Sequence, residues 1–218
     1  MRIAGSTDLQ KVLLQLASIR PVFHSEADFQ LALAWQLQEH DSHMRVRLET
    51  RPEAGAHLDI ACSRDDLGLS TAIEVKYLTR RWSGEVNHEQ FDLKNQGAQD
   101  IRGYDVVKDI YRLERFIDGH RGSDGVAIVL SNDPYYWKPH SEVKKATNAA
   151  AFRLGEGIVL NGRRAWGPKT GAGTTKNRED ALDLMGSYTL HWQDFATVGI
   201  EPNATSLRVL IVPVTHWD

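Results

Sequence analysis

The strongest constraint in this chain is a pair of short segments, residues 57–62 (HLDIAC) and 70–77 (STAIEVKY), in which apolar and polar residues alternate. Alternation of period two puts successive side chains on opposite faces of a strand. A polar linker with one glycine, Ser63 to Leu69, joins them, so an antiparallel hairpin is expected. In the second strand Ile73, Val75 and Tyr77 share one face, and Glu74 and Lys76 share the other. In the first, Leu58, Ile60 and Cys62 share a face and Asp59 lies opposite them. If the hairpin pairs Cys62 with Thr71, Asp59 falls beside Glu74. Two carboxylates side by side on one sheet face repel each other unless a cation compensates them. A pair of hard oxygen ligands, completed by water and a phosphate, suits Mg²⁺ or Mn²⁺.

The flanking sequence supplies the rest of a layered domain. Residues 7–19 and 26–39 carry apolar residues at helical spacing, the second behind a Ser25 cap, with Glu26 and Asp28 suiting the positive end of its dipole. A further strand is expected at 44–49, and a long amphipathic helix at 96–117. A continuously apolar strand follows at 125–130, of the kind buried on both faces. Beyond it the expectations are a helix near 140–153 and strands near 157–160, 187–192 and 207–214. Helices, a hairpin-led sheet and a crossover helix make an α/β (α+β) sandwich over 1–218, one domain whose sheet is extended C-terminally from about residue 131.

Asp59 in His57-Leu58-Asp59-Ile60-Ala61, followed by Glu74-Val75-Lys76 in Ala72-Ile73-Glu74-Val75-Lys76-Tyr77, resembles the PD-(D/E)xK motif of the restriction-endonuclease-like nucleases. The resemblance covers roughly residues 20–130, with Leu58 standing where the motif has proline. It implies a mixed β-sheet flanked by helices, and a metal-dependent phosphodiesterase, a DNA nuclease being the expectation. It also implies that Asp59, Glu74 and the Val75 carbonyl hold Mg²⁺ or Mn²⁺, and that Lys76 orients or helps deprotonate water and stabilises phosphate charge. Glu26, at the start of the upstream helix, matches the family's helix carboxylate. Gln99 resembles a glutamine found after the motif strand in some branches, with Gln96 competing for that role.

Plainer readings stand beside these. An isolated Glu-x-Lys on a strand is commonly a solvated ion pair, and Glu26 alone is a dipole-complementing first-turn residue. His24 and His57 read as surface or supporting groups, and Tyr135-Tyr136-Trp137 as packing. Two segments are candidates for nucleic-acid contact: Arg80-Arg81-Trp82, where a ring able to stack on a base adjoins two cations, and the basic loop 161–180 with Arg163 and Arg164. Gly171 to Lys176 lacks the spacing of a phosphate loop.

The net charge of −3 argues against tight nonspecific DNA binding, although phosphate contacts depend on local cations. A non-catalytic nucleic-acid-binding or protein-interaction module on the same fold is therefore the alternative. A third possibility is an unrelated α+β enzyme in which Asp59, Glu74 and Lys76 form a surface salt-bridge cluster. Cys62 is the one cysteine, which rules out an intramolecular disulfide. No apolar run is long enough to span a bilayer, and the N-terminus does not read as a signal peptide, so no membrane partner and a cytoplasmic location are expected. A C2 homodimer would suit double-strand cutting.

Overall fold

The computed structural model describes residues 1–52, 57–139 and 147–216. The short strands β1 (Arg2–Ile3) and β2 (Thr7–Asp8) pair ahead of helix α1 (Leu9–Ile19), whose cap Asp8 accepts the Gln10 N–H at 3.0 Å. Ser25 caps α2 (Glu26–His40) by accepting the Asp28 N–H at 3.2 Å. Asp28 in turn accepts the His24 N–H at 2.9 Å and pairs with Arg20 at 2.8 Å, so the entry to α2 is tied from both sides. That rigid entry fixes where Glu26 projects.

Strands β3 (Arg45–Thr50), β4 (Leu58–Arg64) and β5 (Leu69–Leu78) form an antiparallel meander, with Cys62 opposite Thr71, the register assumed above. The hairpin β6 (Trp82–Val86) and β7 (Glu89–Leu93) stands as its own two-stranded sheet. Its loop residues Asn87 and His88 have φ of 52° and 66°, the left-handed pair that a two-residue hairpin loop needs. Helix α3 (Gln99–Asp118) then crosses over, so that β8 (Ser123–Ser131) lies parallel to β5.

After β8 come β9 (Val159–Arg164), the short helix α4 (Ala172–Thr175), β10 (Leu182–Thr189), β11 (Trp192–Val198) and β12 (Thr205–Val214). The protein is mixed α/β. Its main sheet has six strands in the order β11-β12-β8-β5-β4-β3, and β9 pairs with β10 in a separate ribbon. One core lies between the sheet and α1–α2, holding Phe29, Leu33, Ile60, Cys62, Ile73, Val75 and Tyr77. The other lies under α3 and the β9–β10 ribbon, holding Ala72, Leu78, Val107, Ile110, Leu113 and Val129. Among the described residues, no helix is long and apolar enough to cross a membrane.

Three expectations need correction. Residues 187–192 are not one strand: they end β10 and begin β11, which belong to different sheets. Of the helix expected near 140–153, residues 140–146 lie outside the described residues, and the rest is a turn leading into one 3₁₀ turn, Ala150–Phe152. Leu58 does not share a face with Ile60 and Cys62 but packs into the α3-side core, so the alternation of β4 breaks at Asp59.

Glu114, fully buried on α3, anchors the ribbon. The β9–β10 register shifts between Leu184 and Ser187, which frees the N–H groups of Met185 and Gly186. Both donate to the Glu114 carboxylate at 2.8–3.0 Å, and so does the Tyr188 hydroxyl at 2.8 Å. A buried carboxyl is tolerable because donors fill its oxygen lone pairs.

Candidate metal and phosphodiester site

The regular β4–β5 ladder runs from Arg64↔Leu69 to Ile60↔Ile73 and stops. Beyond Ile73 the β5 backbone still presents the N–H groups of Val75 and Tyr77 toward the side where β4 would continue. Two carboxylates take them. Asp59 Oδ2 accepts the Val75 N–H at 2.8 Å, and Glu26 Oε2 accepts the Tyr77 N–H at 2.9 Å. The strands thus part at the motif, and the gap between them is lined by acidic oxygens rather than backbone. The Val75 carbonyl opens on the same side and accepts Lys76 Nζ at 3.0 Å.

Side chains from α3 close the site from the other direction. Lys76 Nζ lies 2.9 Å from Asp109 Oδ2 and 4.0 Å from Glu26 Oε1. Arg112, one helical turn from Asp109 and 3.2 Å from it, reaches Glu74 Oε1 at 3.1 Å and also donates to the His57 carbonyl. Four carboxylates, from Glu26, Asp59, Glu74 and Asp109, therefore share one partly buried region with two cations.

Burial and the neighbouring charges set the protonation. Glu74 is 2% exposed. Desolvation, with Asp109 and Asp59 adding repulsion that Arg112 and Lys76 only partly offset, pushes its carboxyl up to about 9. Glu26 and Asp109 are also raised, first by burial, with Lys76 opposing. Burial alone would lower the Lys76 ammonium, but Asp109 and Glu26 outweigh it and hold the amine above the ordinary lysine range. Lys76 is a cation throughout the neutral range.

Compared with family models, with curated proteins and with solved structures, the chain matches none. The site is read from its own geometry.

The structure brings Glu26, Asp59, Glu74, Val75 and Lys76 together. Gln99 stays outside: it opens α3 and its amide nitrogen is 3.5 Å from Asp133 Oδ2. The competing Gln96 is the one that touches the motif strand, donating to the Tyr77 carbonyl at 3.1 Å. Trp82 cannot stack on a base. It is 5% exposed, donates its indole N–H to the Asn203 carbonyl at 2.7 Å, and lies against Gly199 and Gly84, at the second of which a Cβ would collide with the ring. Arg163 and Arg164 lie on β9 rather than in a loop. Arg163 pairs across the ribbon with Asp183 at 3.3 Å, and Arg164 donates to the Val159 carbonyl and Asn161. Arg80 and Arg81 are exposed.

Asp109 and Arg112 were not singled out from the sequence. Their signal was present: charged residues embedded among Val106, Val107, Ile110 and Leu113, on a helix face that packs into the core. His57 acquires a partner as well, with Nε2 2.8 Å from Glu49 Oε2. Glu49, His57 and Asp59 offer one nitrogen and two carboxylate oxygens within 4.8 Å of one another, so Asp59 belongs to two donor groups.

Proposed function

We propose that the protein is a metal-dependent phosphodiesterase with a restriction-endonuclease-like site, acting on nucleic acid and most naturally on DNA. The observation that carries this reading is the convergence of Glu26, Asp59, Glu74 and Lys76 on the gap where β4 and β5 part. A mixed sheet flanked by helices, with a carboxylate from the upstream helix at the motif strand, agrees with what the motif implies.

The residues present fit a divalent cation. A carboxyl pushed up to about 9 by burial first, and then by its acidic neighbours, is one whose charged form is under-compensated, and a hard cation would supply the compensation. Asp59, Glu74 and the Val75 carbonyl would hold Mg²⁺ or Mn²⁺, which neutralises phosphate charge and acidifies bound water. Lys76, being an ammonium, donates to a phosphate oxygen and stabilises the charge that builds up there, and it does not act as a base. Asp109 holds that ammonium in place. Glu26, raised above an ordinary carboxylate and 4.0 Å from Lys76, is placed to receive the proton of the attacking water. Water attacks phosphorus, the bond to the leaving oxygen breaks, and that oxygen takes its proton from solvent.

The test is cleavage of labelled single- and double-stranded oligonucleotides with Mg²⁺ or Mn²⁺. Asp59→Ala, Glu74→Ala and Lys76→Ala should each abolish it while circular dichroism stays native. Wild-type cleavage by all three overturns the assignment. Oligonucleotide binding without turnover in the wild type would favour a non-catalytic module.

A further inference from the structure

A second cleft, of about 590 Å³, opens beyond the carboxyl ends of the parallel strands β5 and β8 and is bounded by Arg80, Arg81, Trp137, Asn203, Ser206 and Arg208. Ligands of α/β sheets bind at that end of the strands. Arg208 alternates with Leu210, which packs into the α3-side core, so it lies on the sheet face that carries Glu74 and Lys76. Arg80 lies four positions beyond Lys76, about 13 Å of extended chain.

The cleft is positively charged. Its one acidic lining residue, Asp194, is already paired with Arg208 at 2.9 Å, whereas no hydrogen bond or ion pair engages the guanidinium of Arg80 or Arg81 among the described residues. It is also built in place. Asn132, 3% exposed, accepts the Arg80 N–H at 2.8 Å and donates to the Arg80 carbonyl at 3.1 Å. On one side Thr79 donates its hydroxyl to the Lys94 carbonyl at 2.7 Å, and on the other Trp82 is buried and tied to Asn203. Two exposed arginines thus leave a segment held at residues 79, 80 and 82. Exposed arginine side chains without anionic partners cost nothing in water, but fixing their backbone is what a phosphate site requires. The half-buried Trp137, with Arg208 5.9 Å from its ring centre, adds an aromatic wall.

We infer that this cleft binds the phosphates of a single polynucleotide strand, with Arg80 and Arg81 as the contacting cations, and so holds the strand that leaves the Lys76 centre. The inference rests on the phosphodiesterase reading for the strand's other end. A concave pocket with an aromatic wall suits one strand with splayed bases, and a net charge of −3 gives no broad basic face for a duplex.

The experiment is fluorescence anisotropy of a labelled oligothymidylate with the full chain in EDTA, across a salt series, for wild type, Arg80→Ala/Arg81→Ala and Glu74→Ala, with thermal midpoints recorded for each. The double variant should keep its thermal midpoint, bind about tenfold more weakly near 100 mM salt, and show a log K against log salt slope smaller by about 1.4, two phosphates at about 0.7 each. Glu74→Ala should bind the oligonucleotide at least as well as wild type. Unchanged affinity in the double variant, no wild-type binding, or equal competition by duplex of the same length overturns the inference. Arginine-dependent binding without Mg²⁺-dependent cleavage sinks the phosphodiesterase reading and leaves the cleft. Cleavage without arginine dependence does the reverse.

Discussion

Lys76 on β5 and Asp109 on α3 form an ion pair at 2.9 Å across the layer between sheet and helix. Asp109 is 5% exposed, and the pair fixes the amine 4.0 Å from Glu26.

Removing Lys76 leaves the buried Asp109 with Arg112, 3.2 Å away, as its remaining cation among the described residues. Lys76→Met should destabilise the metal-free protein by about 3 kcal/mol, read from urea unfolding. Lys76→Met combined with Asp109→Leu should recover much of that loss. A single variant as stable as wild type would show that Arg112, and not Lys76, compensates Asp109.

Glu74 makes stability pH-dependent in a definite direction. Its folded carboxyl is raised to about 9 from an ordinary 4.5, so the folded state keeps a proton that the unfolded chain releases. Its contribution is complete below about pH 4.5 and is lost as pH rises toward 9. In EDTA the thermal midpoint should therefore fall between pH 6 and 9, and Glu74→Gln should flatten that fall. Added Mg²⁺ should raise the midpoint more at pH 9 than at pH 6, because binding requires the carboxylate. Differential scanning fluorimetry across this range checks both.

Glu114 supplies the acceptors for Met185 N–H, Gly186 N–H and the Tyr188 hydroxyl. Glu114→Ala should cost about 3 kcal/mol or more, since buried donors lose their acceptor. Hydrogen exchange at Met185 and Gly186 should accelerate well before that of β5. If exchange there is unchanged, the ribbon is held by something other than this carboxylate.

Cys62 is 1% exposed in the core between β4 and α2, and burial, with Asp124 nearby, pushes its thiol up to about 12. Native protein at pH 8 should react with a thiol-specific disulfide reagent orders of magnitude more slowly than protein in denaturant. Fast native labelling would contradict the hairpin register that turns Cys62 inward.

What the sequence determined on its own is local. Period-two alternation and a glycine-containing linker set the β4–β5 hairpin and the neighbourhood of Asp59, Glu74 and Lys76, while the Cys62↔Thr71 register, only assumed from the sequence, is the one the structure adopts. Helical spacing behind Ser25 placed Glu26 at the head of α2. Tertiary structure decided the rest. Asp59 does not sit across from Glu74 in a continued ladder; the strands part and it bonds the Val75 N–H, because Leu58 turns into the other core. Asp109 and Arg112 join the site only once α3 crosses the sheet to set β8 parallel to β5, a contact between residues more than thirty positions apart that no local period encodes. Trp82 reads as an exposed stacking ring beside two arginines, yet packing against Gly84 and Gly199 buries it and leaves Arg80 and Arg81 outside. Backbone periodicity is a property of neighbours in the chain. Which charged groups end up sharing a desolvated pocket depends on how whole layers pack, and that is settled by the burial of apolar faces together.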